Sequence, residues 1–116
     1  MTRRTERVAS LIQSELGELV LKRLKDPRIG MVTITRVEIT PDLKLAHVYY
    51  SVYGKDKEKE EAGRALEHAA GFLQRKIADA LKFRFTPKLT FRLDDSLEES
   101  IRIQKILEDL RREAGR

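Results

Sequence analysis

The stretch VTITRVEITPDLKLAHVYYSV, residues 32–52, decides the fold. Val32, Thr33, Ile34, Thr35, Val37, Ile39 and Thr40 are β-branched, and such side chains suit a pleated, half-buried surface better than a helix, so Met31 to Thr40 reads as a strand. Thr40-Pro41-Asp42-Leu43-Lys44 reads as a turn in which Pro41 presets its own backbone angle. A second strand follows through Ala46, Val48, Tyr50 and Val52, making an antiparallel hairpin. Within the first strand the alternation slips. Val32 and Ile34 share one face, Val37 and Ile39 the other, so either both faces are partly buried or a bulge sits near Thr35-Arg36.

Working outward toward the N-terminus, Val8, Leu11, Ile12, Leu16, Leu19, Val20 and Leu24 recur at three- and four-residue spacing. They predict an amphipathic helix over residues 5 to about 24, with Thr5 as N-cap and a stop before Asp26-Pro27. Toward the C-terminus a charged loop, residues 54–61, runs into a helix carrying Ala62, Leu66, Ala69, Leu73 and Ile77 to about Leu81. Ala69-Ala70-Gly71 lies in its middle, where glycine weakens a helix, so a kink or break is expected there. Phe83-Arg84-Phe85-Thr86-Pro87 ends the helical register, with Phe85 expected in the core, and Leu89, Phe91 and Leu93 alternate as a third strand. Ser96-Leu97-Glu98-Glu99 matches a capping box, Ser96 as N-cap, opening a last helix whose Ile101, Ile103, Ile106, Leu107 and Leu110 give it an apolar face.

At 116 residues the chain is the size of one domain. Its charged fraction, 37%, exceeds the roughly 25% of an average soluble domain and implies a densely charged surface. The absence of cysteine excludes disulfides, thiol nucleophiles and thiolate metal sites. No apolar run approaches the ~20 residues of a membrane span or follows the basic N-terminus as a signal peptide would, so a cytoplasmic location is expected. The lack of asparagine beside dense charge leans toward a heat-adapted source. The net charge is +5, and residues 72–93 alone hold Arg75, Lys76, Lys82, Arg84, Lys88 and Arg92 against Asp79. Such a cluster attracts polyanions, nucleic acid above all. A plain solvated face explains it equally well on charge alone.

Catalytic chemistry finds no constellation. Asp94, Asp95, Glu98 and Glu99 are the clustered carboxylates outside the charged loop, and capping with dipole complementation accounts for all four better than a cation site without a turn glycine. His47 falls on a strand and His68 on a helix, neither beside a motif partner. There is no phosphate-cradling glycine loop, no HExxH and no nucleophile elbow, so no enzyme, metal or cofactor is expected. Aromatics are few. Tyr49 and Tyr53 are the exposed candidates for base stacking, which argues against a stacking sheet and for contacts to phosphate and shape.

The order helix, strand, strand, helix, helix, strand resembles a type II KH domain, an α+β RNA-binding fold, yet the GxxG loop between the central helices is replaced by Ala69-Ala70-Gly71. An Ala-x-Gly kink at that junction is similar to the bacterial ribosome-binding factor A family. So are Arg3-Arg4-Thr5-Glu6-Arg7-Val8-Ala9, Asp26-Pro27-Arg28-Ile29, the hairpin around Thr40-Pro41-Asp42-Leu43, and Arg84-Phe85-Thr86-Pro87-Lys88-Leu89-Thr90-Phe91 running into Asp94-Asp95-Ser96. The resemblance spans about residues 3–103. It implies a KH-like RNA-binding domain over residues 1–95 with a helical extension over 96–116. It further implies a non-enzymatic assembly factor, monomeric when free, that binds the small ribosomal subunit and its rRNA during late maturation, helps 5′-end processing and supports growth in the cold. By position, Ala69 and Gly71 map onto the kink, where they would let an RNA backbone approach. Arg75 and Lys76 would supply charge one turn on, and Arg4, Arg7, Arg84 and Lys88 are further expected phosphate contacts. The rival expectation is a protein-interaction module in which the last helix and the basic face dock an acidic protein. No membrane and no small-molecule substrate is expected.

Overall fold

A computed structural model describes residues 3–22, 27–29, 32–82, 84–94 and 96–115, apart from the side chains of residues 97 and 98. The elements are helix α1 (Arg3–Lys22), a short 3-10 turn (Pro27–Ile29), strands β1 (Val32–Ile39) and β2 (Leu45–Val52), helix α2 (Asp56–Leu81), strand β3 (Lys88–Leu93) and helix α3 (Ser96–Ala114). β1 and β2 form the expected antiparallel hairpin, and β3 joins parallel to β2, giving a three-stranded sheet in the order β1-β2-β3. The parallel pair needs a crossover, which α2 provides. The α+β, KH-like class read from the element order stands.

The slipped alternation in β1 is a bulge: the register shifts between Ile34 and Arg36. Thr35 is the extra residue. Its carbonyl accepts from Gln13 Nε2 of α1 at 3.1 Å, which satisfies the acceptor the bulge takes out of the ladder, and its hydroxyl donates to Asp94 Oδ2 at 2.8 Å, tying the bulge to the residue that follows β3.

One face of the sheet is covered by α1 and α2. Ile12, Leu16, Val48, Leu73 and Ile77 centre one buried cluster, and Tyr50, Val52, Ala62 and Leu66 a second, with Ile34 and Phe91 packed against both. This explains the first departure from expectation. No break occurs at Ala69-Ala70-Gly71, and α2 is one helix of 26 residues. A single glycine costs about 1 kcal/mol in a helix. Here Leu66 on one side of it and Leu73 on the other are both fully buried, so each half is anchored in its own cluster and the glycine penalty is outweighed.

Three further expectations change. Thr5 is not an N-cap but lies buried inside the first turns of α1, which starts at Arg3. Ser96 is likewise already helical: its backbone N–H and its hydroxyl both donate to Asp94 Oδ1, at 3.1 and 2.6 Å, so the carboxylate two residues upstream takes the place of the expected capping box. Phe85 is not core but 80% exposed, and of the two it is Phe91, on β3, that packs against the core. The expected helix end at Leu24 and Asp95 of the expected loop lie outside the described residues.

Among the described residues, α3 adds no side chain to either core cluster. Ile101, Ile103, Ile106, Leu107 and Leu110 are all 48% to 57% exposed, and the helix projects so that the molecule measures 63 × 36 × 18 Å.

Candidate nucleic-acid interface

Three segments distant in sequence meet at one end of the sheet: the start of α1, the β1–β2 turn and the segment leading into β3. The turn is built by Thr40 and Asp42. Asp42 Oδ1 accepts from the Thr40 hydroxyl at 2.6 Å and from the Lys44 N–H at 3.0 Å, and Leu43 takes a left-handed φ of 63°. That side-chain-to-backbone closure directs Lys44 outward. The Lys88 N–H then donates to the Lys44 carbonyl at 2.8 Å, fastening the turn to β3. Behind the third segment stands Gln74 of α2. Its Nε2 donates to the Pro87 carbonyl at 2.6 Å and its Oε1 accepts from the Leu89 N–H at 3.0 Å, so one side chain satisfies two backbone groups and fixes the loop.

Between these walls lies a cleft of about 760 Å³. Its lining combines the apolar side chains of Val8, Leu43, Phe85 and Pro87 with four cations, Arg4, Lys44, Arg84 and Lys88. Asp42 is the carboxylate on the lining, and its hydrogen bonds from the Thr40 hydroxyl and the Lys44 N–H hold its pKa below the usual carboxylate value. It therefore stays ionised, but is already engaged by the turn. Among the described residues none of the four cations forms an ion pair. Four cations against the single Asp42 carboxylate leave a net positive field that favours an anion.

Of the residues expected to bind RNA, the structure brings together Arg4, Arg84 and Lys88. Arg7 is exposed one turn along α1 from Arg4 and lies outside the lining. The other four sit on α2. Ala69 packs against the core, Gly71 and Arg75 are exposed, and the Lys76 ammonium stands 5.6 Å from the Phe72 ring centroid. A Cβ added at Gly71 would come no nearer than 3.7 Å to Arg75 Nη1, so nothing inside this chain requires glycine there. Sequence reading missed Lys44 and Phe85. The Thr40-x-Asp42 turn pattern was the available signal for Lys44; for Phe85 there was none, since a phenylalanine in a loop is placed inside or outside by tertiary packing that leaves no local pattern. Of the two tyrosines expected to be available for stacking, Tyr53 is exposed, whereas Tyr49 lies under the Arg36 guanidinium, 4.0 Å from its centroid.

The arrangement can hold an anionic polymer against a planar hydrophobic surface. Comparison with known proteins gives it a context. The sequence profile of the family described as Ribosome-binding factor A matches residues 4–107. A Dictyoglomus thermophilum ribosome-binding factor A is 44% identical over 111 residues, 95% of this chain and 92% of that protein. One from Caldanaerobacter subterraneus is 40% identical over 116 residues, 99% and 95% of the two chains. The crystal structure of the ribosome-binding factor A from Thermus thermophilus superposes with a TM-score of 0.69 at 26% identity, covering 77% of this chain and 94% of that one. A Thermus thermophilus homology model fitted into the cryo-EM map of its complex with the 30S subunit shares the fold, with a TM-score of 0.62 at 23% identity over 83% and 97% of the chains. With the profile covering nearly the whole length and identity this high across it, the chain belongs to the ribosome-binding factor A family.

Proposed function

We propose that this chain is a non-enzymatic assembly factor that binds the small ribosomal subunit and its rRNA during late maturation. In this reading it assists 5′-end processing of the small-subunit rRNA, supports growth in the cold, and acts in the cytoplasm as a monomer when free. Residues 1–95 form its RNA-binding domain and 96–116 a helical extension. The observation that carries the reading is the convergence of Arg4, Lys44, Arg84 and Lys88, without ion-pair partners among the described residues, around one concave surface. A Thermus thermophilus relative fitted into the map of a 30S complex supports the choice of subunit. Arg7, Ala69, Gly71, Arg75 and Lys76 form a second contact region, where the missing side chain of Gly71 admits a phosphate backbone close to α2.

Co-sedimentation with isolated small and large subunits across a salt series tests this. Selective, salt-sensitive binding to the small subunit is expected, together with accumulation of 5′-extended rRNA and slow growth in the cold when the protein is absent. Gly71→Val should weaken binding at least several-fold without unfolding, because valine is no worse than glycine in an exposed helix and the position is open. Equal binding to both subunits would refute the assignment. The second reading, a module that docks an acidic protein, is favoured by the exposed apolar side chains of α3. It predicts binding that ignores Gly71.

A further inference from the structure

Phe85 is a large ring left 80% in water, although it lies between Arg84 and the buried Pro87 on a loop that Gln74 holds in place. The Arg84 guanidinium stands 5.7 Å from its centroid. The ring, the apolar side chains of Val8, Leu43 and Pro87, and the cations thus line one concave surface, with the exposed ring open to a partner and charges beside it. We propose that the cleft receives one unstacked nucleotide of single-stranded RNA, its base against Phe85 and its neighbouring phosphates on Arg4, Lys44, Arg84 and Lys88. This rests on the RNA-binding reading above and adds to it the state of the RNA and the part that is recognised.

Each component of the nucleotide has a counterpart. The base is flat and apolar on its faces, and the lining offers it the Phe85 ring and the apolar side chains of Val8, Leu43 and Pro87. Lys44 and Lys88 are tied through a backbone hydrogen bond of 2.8 Å, so both exposed lysines rise from adjoining backbone on the cleft lining, where a bound phosphate offsets their like charge. The volume of about 760 Å³ lies within the roughly 300–1,000 Å³ of sites that enclose small organic groups. A base-paired duplex cannot use such a site, since its base faces are covered by their neighbours. An acidic peptide would satisfy the cations but bring nothing for the ring. Recognition of unstacked bases by aromatic side chains flanked by cations is the ordinary physics of single-strand binding.

The full-length protein is titrated with a short oligoadenylate and with an abasic oligomer of equal length and charge. Wild type should prefer the base-bearing strand. Phe85→Ala, whose exposure makes it harmless to folding, should lower oligoadenylate affinity about five-fold or more and abolish that preference. Phe85→Trp should retain it. Lys44→Ala should weaken both oligomers alike and reduce the slope of log affinity against log salt by about 0.7. Equal affinity for the abasic strand, no effect of Phe85→Ala, no measurable oligoadenylate binding, or displacement by a polyglutamate peptide at matched charge would each overturn the proposal. Co-sedimentation of the same variants separates the two levels. If wild type binds small subunits while Phe85→Ala leaves oligomer binding unchanged, the nucleotide site falls and the assembly-factor reading stands. If wild type ignores small subunits, that reading falls by itself.

Discussion

Position 63 shows how one missing side chain sets the distance between a helix and a sheet. A Cβ built on Gly63 would stand 2.8 Å from the Tyr50 hydroxyl oxygen, closer than real contacts allow. Tyr50 cannot yield cheaply, because its ring is buried in the second core cluster. Burial, with the Glu67 carboxylate adding to it, also raises its phenol pKa above the usual 10.0, so the group stays neutral at any physiological pH. Gly63→Ala gains up to about 1 kcal/mol of helix propensity but overpacks at a cost of roughly 1–3 kcal/mol. A net loss is expected in urea unfolding. Tyr50→Phe removes the oxygen, so Gly63→Ala introduced into Tyr50→Phe should be neutral or stabilising. If the two changes simply add, the contact does not set the spacing. Gly71 is the contrast: its surroundings are open, and substitution there should disturb only what approaches from outside.

Elements join the site through a few polar side chains, and two of these make predictions. Gln74 satisfies the Pro87 carbonyl and the Leu89 N–H, so Gln74→Ala leaves both orphaned in a half-buried place at a cost of about 1–3 kcal/mol. Because the cleft wall loosens as well, the variant should lose oligonucleotide affinity even at temperatures where it is fully folded; unchanged affinity would show that Gln74 does not position the wall. Asp94 joins β3 to α3, its carboxylate accepting from Ser96 and from Thr35 of the bulge. The Ser96 hydroxyl, then that of Thr35, lowers its pKa below 3.8. A group whose folded pKa is depressed stabilises above its unfolded value and loses that contribution as pH falls through the folded one. The α3 junction should therefore be unaffected from neutral pH down to about 5 and loosen only in stronger acid, with Asp94→Ala loosening it at neutral pH; backbone relaxation of residues 96–100 reads both, and an unchanged profile in the variant would remove Asp94 from this role. These joints also show what a sequence discloses. Helices and strands were legible because burial of one face imposes a period, and even the bulge was visible as a phase slip between Ile34 and Val37. Caps and breaks were not, because Ser96 and Gly71 have local preferences of about 1 kcal/mol that Asp94 and the anchoring of Leu66 and Leu73 override, and Thr5 is buried within α1 instead of capping it. In the site, Arg4, Arg84 and Lys88 stood out as charge, whereas Lys44 and Phe85 belonged to it only once the chain had folded.

Across the whole molecule the charge is polarised. Residues 72–93 hold six cations against one carboxylate, while residues 94–116 hold seven carboxylates against five cations. The radius of gyration of 17.3 Å exceeds the about 13 Å of a compact chain of this size, since α3 extends away from the core. A polyanion bound at the cleft would therefore meet a basic part of an elongated body, whereas α3, with five carboxylates against four cations, offers it no net attraction. Salt dependence can map this. Each phosphate of a single strand neutralised contributes about 0.7 to the slope of log affinity against log salt, so Lys44→Ala and Lys88→Ala should each reduce the slope for RNA by about 0.7. Arg36→Ala should not, because the Arg36 guanidinium lies on the open sheet face, paired with Glu38 at 3.0 Å and stacked on Tyr49. Exchanging Arg111 and Arg112 of α3 for alanine should likewise leave the slope alone. If Arg36→Ala or the α3 pair lowers the slope as much as Lys88→Ala does, RNA lies on the open sheet face or along α3, and the cleft is not where the polyanion sits.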